Sequence, residues 1–148
     1  MPFFHDQDRS GLRRLYVEAW GKHRAGAPLE QLEHQIVTVV EQHPEYHALL
    51  EDQADALGRD FAPEAGQTNP FLHMGLHLAI REQSATDRPA GIAAIRAQLV
   101  ERLADPHEAE HRMLERLAEA LWLSQRTGQP PDEVAYVESL RRMLGRRK

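Results

Sequence analysis

Proline constrains this chain more than any other residue type, because it interrupts the helical segments at defined points. Apolar residues recur every three or four positions through most of the chain, which is typical of amphipathic helices. Pro44, Pro70 and Pro106 follow a histidine, an asparagine and an aspartate. Proline is favoured at the first position of a helix and disfavoured inside one. These three prolines therefore predict three helix starts.

Periodicity and start signals together predict a chain that is helical almost throughout. The expected helices cover residues 8–26, 28–42, 44–57, 70–83, 89–103, 106–127 and a last segment from about residue 131. Residues 58–68 lack the periodicity and are predicted to form a loop. No segment shows the two-residue alternation of a strand. The predicted fold class is therefore all-α, a helical bundle of about six to seven helices.

The same patterns predict one domain over residues 1–148, with a basic, frayed tail at residues 141–148. Trp20 and Trp122 lie on apolar helix faces and are expected in the core. The sequence is also compatible with a homo-oligomer.

Composition limits the partners and the chemistry of the chain. The absence of cysteine excludes disulfides, thiolate metal sites and thiol nucleophiles. The net charge of −5 argues against nucleic acid as a partner. No apolar run approaches the roughly 18 residues of a membrane-spanning helix, and no secretory signal pattern is present. We therefore expect a cytoplasmic protein without membrane contact.

Six of the nine histidines form three pairs, each with a spacing of four residues. The pairs are His43 and His47 in HPEYH, His73 and His77 in HMGLH, and His107 and His111 in HEAEH. Side chains four apart on a helix are neighbours, and two imidazoles at this spacing can bind one metal ion. Each pair lies near a proline-opened helix start and continues into apolar positions. We therefore predict a mono- or dinuclear metal site that draws ligands from all three pairs.

Carboxylates near the last pair are candidates to complete this site. Glu108 precedes His111 by three residues, which is the ExxH spacing of di-iron bundles, and Glu115 follows His111 by one turn. Only one ExxH motif is present, so the di-iron pattern is incomplete. Glu110 is expected to be solvated, as charged residues on amphipathic helices usually are.

Nitrogen ligands favour a divalent transition metal, iron or zinc above all, with manganese, copper and nickel also compatible. Such a site supports hydrolysis through a bound water, or oxygen chemistry if the ion is iron. The HExxH motif of zinc proteases is absent. Two alternatives stay open. The first is a metal-free interaction module with a buried histidine hydrogen-bond network, and the second is an anion-binding module at converging helix N-termini.

Four sequence strings carry a resemblance to a known family. These are HPEYH, GQTNPFLHMGLHLAI, DRPAG and HEAEH. With them the chain resembles a family of short proteobacterial proteins that is a domain of unknown function. The resemblance implies a bacterial, cytoplasmic, single-domain protein and implies no activity, cofactor or catalytic residue.

Overall fold

The structure is a computed structural model that describes residues 6–58 and 69–145. Within these ranges the chain forms α-helices and no strand, so the predicted all-α fold class is confirmed. The helices are α1 (Asp6–Ala25), α2 (Gln31–Glu41), α3 (His47–Glu51), α4 (Gln53–Gly58), α5 (Pro70–Thr86), α6 (Ile92–Leu103), α7 (Pro106–Thr127) and α8 (Glu133–Leu144). The predicted loop at residues 58–68 lies, from residue 59 onward, outside the described residues.

The segment predicted as one helix over residues 44–57 is divided into three pieces. A 3₁₀ turn (Pro44–Tyr46) comes first, and α3 and α4 follow on either side of Asp52. Asp52 has an extended backbone with ψ of 93°, and its side chain accepts a hydrogen bond from the backbone N–H of Asp55 at 3.1 Å. Aspartate often starts a new helical turn in this way, since its carboxylate satisfies a backbone N–H group.

The predicted start of α6 is wrong, and the predicted start of α7 is confirmed. α6 begins at Ile92 and not at Pro89, because Asp87 accepts hydrogen bonds from the backbone N–H groups of Gly91 and Ala93 at 3.1 and 3.0 Å. α7 covers residues 106–127 as predicted. The Asp105 carboxylate accepts hydrogen bonds from two backbone N–H groups in its first turn and so caps the helix.

The chain divides into two compact units, residues 1–75 and 76–148. In the first unit α1 packs against α2, α3 and α4. Its buried apolar residues include Tyr16, Ala19, Trp20, Ile36, Val39, Val40, Leu50, Phe71 and Met74. The prediction of a single domain over the whole chain stays a prediction.

The second unit contains the rest of α5 together with α6, α7 and α8. The last three of these helices pack against one another, and α5 contributes Leu76 and Ile80 to the common core. Large apolar side chains in this core are fully buried, and each contributes about 1.5–3 kcal/mol to folding. They include Ile80, Ile92, Met113 and Leu140.

Trp122 lies outside this core, so its predicted burial is wrong. The last buried residue of α7 is Leu117, and the helix continues for ten more residues to Thr127. Trp122 is 56% exposed, and the guanidinium of Arg126 lies 5.1 Å from its ring centroid. Trp122 instead borders an open surface pocket together with Tyr136 of α8. Among the described residues no helix is long and apolar enough to cross a membrane.

Candidate metal centre

The first turns of α7 place two histidines and a carboxylate on one face of the helix. His107, Glu110 and His111 lie at relative positions zero, three and four, which face the same side of an α-helix. Ala109 and Met113 on the adjoining face are completely buried in the core and fix the rotation of α7. Glu110 is 2% exposed, while the two histidines are half-buried.

The second half of α5 presents a histidine and an arginine to this face of α7. His77 and Arg81 lie four residues apart, and the neighbouring Leu76 and Ile80 anchor α5 in the core of the second unit. The His77 ring is completely buried, and the Arg81 side chain is 27% exposed. His77 therefore meets the two α7 histidines in an environment from which water is largely excluded.

His77, His107 and His111 form the histidine cluster of the second unit. Each offers one ring nitrogen, and these nitrogens lie within 4.8 Å of one another. The ring of His111 stands nearly perpendicular to the other two, at 77° to His77 and 85° to His107, with ring centroids 4.7 and 4.3 Å away. The rings of His77 and His107 stack at 8° with centroids 5.2 Å apart.

The distance between two of these nitrogens matches the geometry of a bound ion. Nε2 of His77 and Nε2 of His111 are 3.3 Å apart. Two ligands of a tetrahedral zinc ion with Zn–N bonds of about 2.0–2.1 Å lie about 3.3–3.4 Å apart. The pair thus spans one edge of such a tetrahedron. The cluster could hold a metal ion, and its atoms do not define which metal.

The other nitrogen of His77 is held by a buried carboxylate. Nδ1 of His77 lies 2.5 Å from Oε1 of Glu110, and Arg81 donates to both oxygens of Glu110 at 2.9–3.1 Å. Burial raises the pKa of Glu110, but the hydrogen bonds from His77 and Arg81 outweigh this effect and lower the pKa to about 2. Glu110 is therefore ionised at neutral pH and accepts a hydrogen bond from Nδ1 of His77.

The comparison with protein families identifies the chain. Residues 8–142 match the family DUF1841, described as a domain of unknown function. The chain belongs to DUF1841. This confirms the resemblance to a family of unknown function. The comparison with curated proteins gives no match. The comparison with solved structures gives none either.

In this DUF1841 protein the remaining predicted histidines lie in the first unit. His43 is 2% exposed, and its Nδ1 donates to the carbonyl oxygen of Val39 at 2.8 Å. The rings of His43 and His73 meet edge to face with centroids 5.1 Å apart. His47 has Nε2 2.8 Å from the carbonyl oxygen of Val40, to which it donates.

In the first unit, His47 has its Nε2 engaged by a backbone carbonyl, and its ring centroid lies 4.4 Å from that of Trp20. His43 has its Nδ1 engaged by a backbone carbonyl in the same way. That all three predicted pairs contribute to one site stays a prediction.

The glutamates of α7 differ from the sequence prediction in which of them is buried. Glu108 is about half exposed and pairs with Arg112 at 3.1 Å, and Glu115 is exposed. The structure therefore places neither side chain in the interior with the cluster, and their role as ligands stays a prediction. Glu110, which the sequence assigned to the solvated face, is buried, so that expectation is wrong. Its burial follows from Arg81, which compensates its charge, and from His77, which donates a hydrogen bond to it.

A sequence signal for Glu110 and Arg81 existed but was weak. Glu110 follows His107 by three residues and Arg81 follows His77 by four, so each shares a helix face with a predicted ligand. Because metal-bound histidines usually donate their second nitrogen to a carboxylate, an acidic residue on the same face is a natural candidate. The spacing alone does not distinguish Glu110 from the exposed Glu108.

Proposed function

We propose that the protein binds a divalent transition metal ion through His77, His107 and His111. The observation that carries this proposal is the convergence of three ring nitrogens within 4.8 Å, two of them 3.3 Å apart. Neutral imidazole is the form that coordinates metal. The hydrogen bond from His77 Nδ1 to Glu110 leaves Nε2 of His77 with its lone pair directed at the cluster.

The ligand chemistry narrows the choice of metal. Imidazole suits zinc, iron, copper and nickel, whereas calcium and magnesium prefer oxygen ligands. The chain contains no cysteine that would supply thiolate ligands. We propose iron or zinc as the resident ion, with manganese, copper or nickel as further candidates.

The role of the ion depends on its fourth ligand. Three histidines leave one position of a tetrahedral ion for another group, and in catalytic zinc sites this group is water. A bound water supports hydrolysis, and iron with an open position supports oxygen chemistry. A fourth protein ligand would instead close the site for metal storage or sensing. His43, His47, His73, Glu108 and Glu115 stay proposed ligands on the strength of the sequence pattern.

Elemental analysis of untagged protein tests this function directly. We expect one or two equivalents of a transition metal in the wild type, and less than about a tenth of an equivalent in the double variant His77→Ala/His111→Ala. The control is His34→Ala, which removes an exposed histidine of α2 and should leave the metal content unchanged. A parallel His43→Ala variant tests the predicted contribution of the first histidine pair.

A metal-free histidine network is the second candidate function, as the core of an interaction module. It is favoured by the 3.3 Å contact of His77 Nε2 with His111 Nε2, a distance that an N–H···N hydrogen bond also allows. This function predicts no bound metal after reconstitution with each candidate ion, and an unchanged melting temperature after chelator treatment. Binding of metal with a rise in melting temperature would instead support the metal site.

A further inference from the structure

We infer that Glu110 and Arg81 are positioning residues that fix the tautomer and orientation of His77 and thereby set the affinity of the site for metal. This inference rests on the proposed function, because it concerns the same ion. Neither residue is proposed as a ligand.

The role of Glu110 follows from its contact with a single nitrogen of His77. The carboxylate is an acceptor without a proton, so Nδ1 of His77 must donate at their 2.5 Å contact. A neutral imidazole carries one proton, and with that proton on Nδ1 its Nε2 is free of hydrogen. This tautomer directs a lone pair toward Nε2 of His111, 3.3 Å away.

Arg81 holds the carboxylate in the orientation that this contact needs. Its Nε donates to both carboxylate oxygens at 3.1 and 2.9 Å, and its Nη2 donates to Oε1 at 2.9 Å. Oε1 is also the atom that accepts from His77. The two Arg81 nitrogens and Nδ1 of His77 therefore fix the plane of the Glu110 carboxylate. The fixed carboxylate in turn restrains the orientation of the His77 ring. Carboxylates of this kind typically change metal affinity by about 10- to 100-fold.

The burial of the three side chains makes this arrangement rigid. The side chains of His77 and Glu110 are 0% and 3% exposed, and that of Arg81 is 27% exposed. An exposed glutamate–arginine pair on α7, Glu119 with Arg116, has the same chemistry at the surface, where the two side chains are 67% and 44% exposed. The chain thus contains its own control pair.

Two readouts on four variants test the inference. The variants are Glu110→Gln and Arg81→Lys, with Glu119→Gln and Arg116→Lys as controls. The first readout is the tautomer of His77 from ¹⁵N chemical shifts in metal-free protein at about pH 8.5, where an ordinary imidazole with a pKa of about 6.5 is neutral. The second is zinc affinity from competition with a chromophoric chelator.

We expect the wild type and both controls to hold the Nδ1–H tautomer of His77 and to share one zinc affinity. Glu110→Gln should show a mixture of tautomers, since a carboxamide can also donate, and bind zinc about 10- to 100-fold more weakly. Arg81→Lys should weaken binding by a smaller factor, because lysine cannot form the two-pronged contact. A purely structural role would lower stability without changing the tautomer.

Zinc affinity of Glu110→Gln within twofold of the wild type would overturn the inference while leaving the proposed metal site intact. A wild-type tautomer with the proton on Nε2 would overturn it as well. A wild type that binds no zinc, iron or other candidate ion would overturn the proposed function and this inference with it. The three outcomes are therefore distinct.

Discussion

Replacing Glu110 by glutamine should lower the free energy of unfolding by about 3 kcal/mol at pH 7. Folding lowers the pKa of this carboxyl group from the usual 4.5 to about 2, because the hydrogen bonds from His77 and Arg81 outweigh the opposing effect of burial. Each pKa unit corresponds to about 1.4 kcal/mol of preference for the ionised form. Glutamine keeps the shape of the side chain and removes its charge, so the variant loses this preference.

The same argument predicts how the effect depends on pH. Because folding lowers the pKa, the stabilisation is present above the unfolded-state value and is lost as the pH falls through the folded-state value. From pKa values of 4.5 and about 2, the difference between wild type and Glu110→Gln should decrease from about 3 kcal/mol at pH 7 to about 2 kcal/mol at pH 3.5. Urea unfolding followed by circular dichroism, with a chelator present throughout, measures both values.

Glu108→Gln is the matched control for this experiment. Glu108 lies two residues away on the same helix, and it also pairs with an arginine, but both side chains are about half exposed. Solvent screening limits such surface pairs to about 0.5 kcal/mol. Equal losses for the two variants would refute the argument that burial makes the Glu110 interactions strong. A difference that does not change between pH 7 and pH 3.5 would refute the pKa argument.

Three further substitutions, with Leu123→Ala as a control, test the packing and the helix ends of the second unit. Met113→Ala should lower the free energy of unfolding by about 3 kcal/mol because its side chain is fully buried, whereas the exposed Leu123→Ala should change it by less than about 0.5 kcal/mol in the same urea assay. Asp105→Ala should cost about 1 kcal/mol by removing the cap of α7, seen as a lower urea midpoint. Ala104→Gly should raise the melting temperature, since Ala104 ends α6 with φ of 56°, a conformation that costs alanine about 1 kcal/mol; a lower melting temperature would contradict this.

Local signals predicted those elements whose ends are encoded by neighbouring residues. α7 starts and ends as expected because Asp105 and Pro106 specify its first turn and Gly128 its end, with φ of 72°. The break at Asp52 was missed, since aspartate is common inside surface helices and only its hydrogen bond to Asp55 distinguishes this one. Trp122 was misplaced because periodicity does not show that its side chain lies at the edge of a surface pocket, beside Tyr136, and not in the core.

The candidate site shows the same division between local and distant information. The spacing of His107 and His111 was enough to place both rings on one helix face. The burial of Glu110 was not predictable in this way, because it depends on Arg81, which is 29 residues away in the sequence and on another helix. Charged residues enter a protein interior when a partner compensates them, and a single sequence does not reveal that partner.

The contact of Glu110 with His77 and Arg81 defines a two-part sequence signature. One helix must carry HxxxR, as in residues 77–81, and the start of another must carry HxxEH, as in residues 107–111. Aspartate at position 110 would be one methylene shorter, which places its oxygens about 1.5 Å further from both donors. The signature can therefore be searched for in helical proteins as a compound motif in which the glutamate is required. Both halves must be present, because the contact joins residues of two different helices.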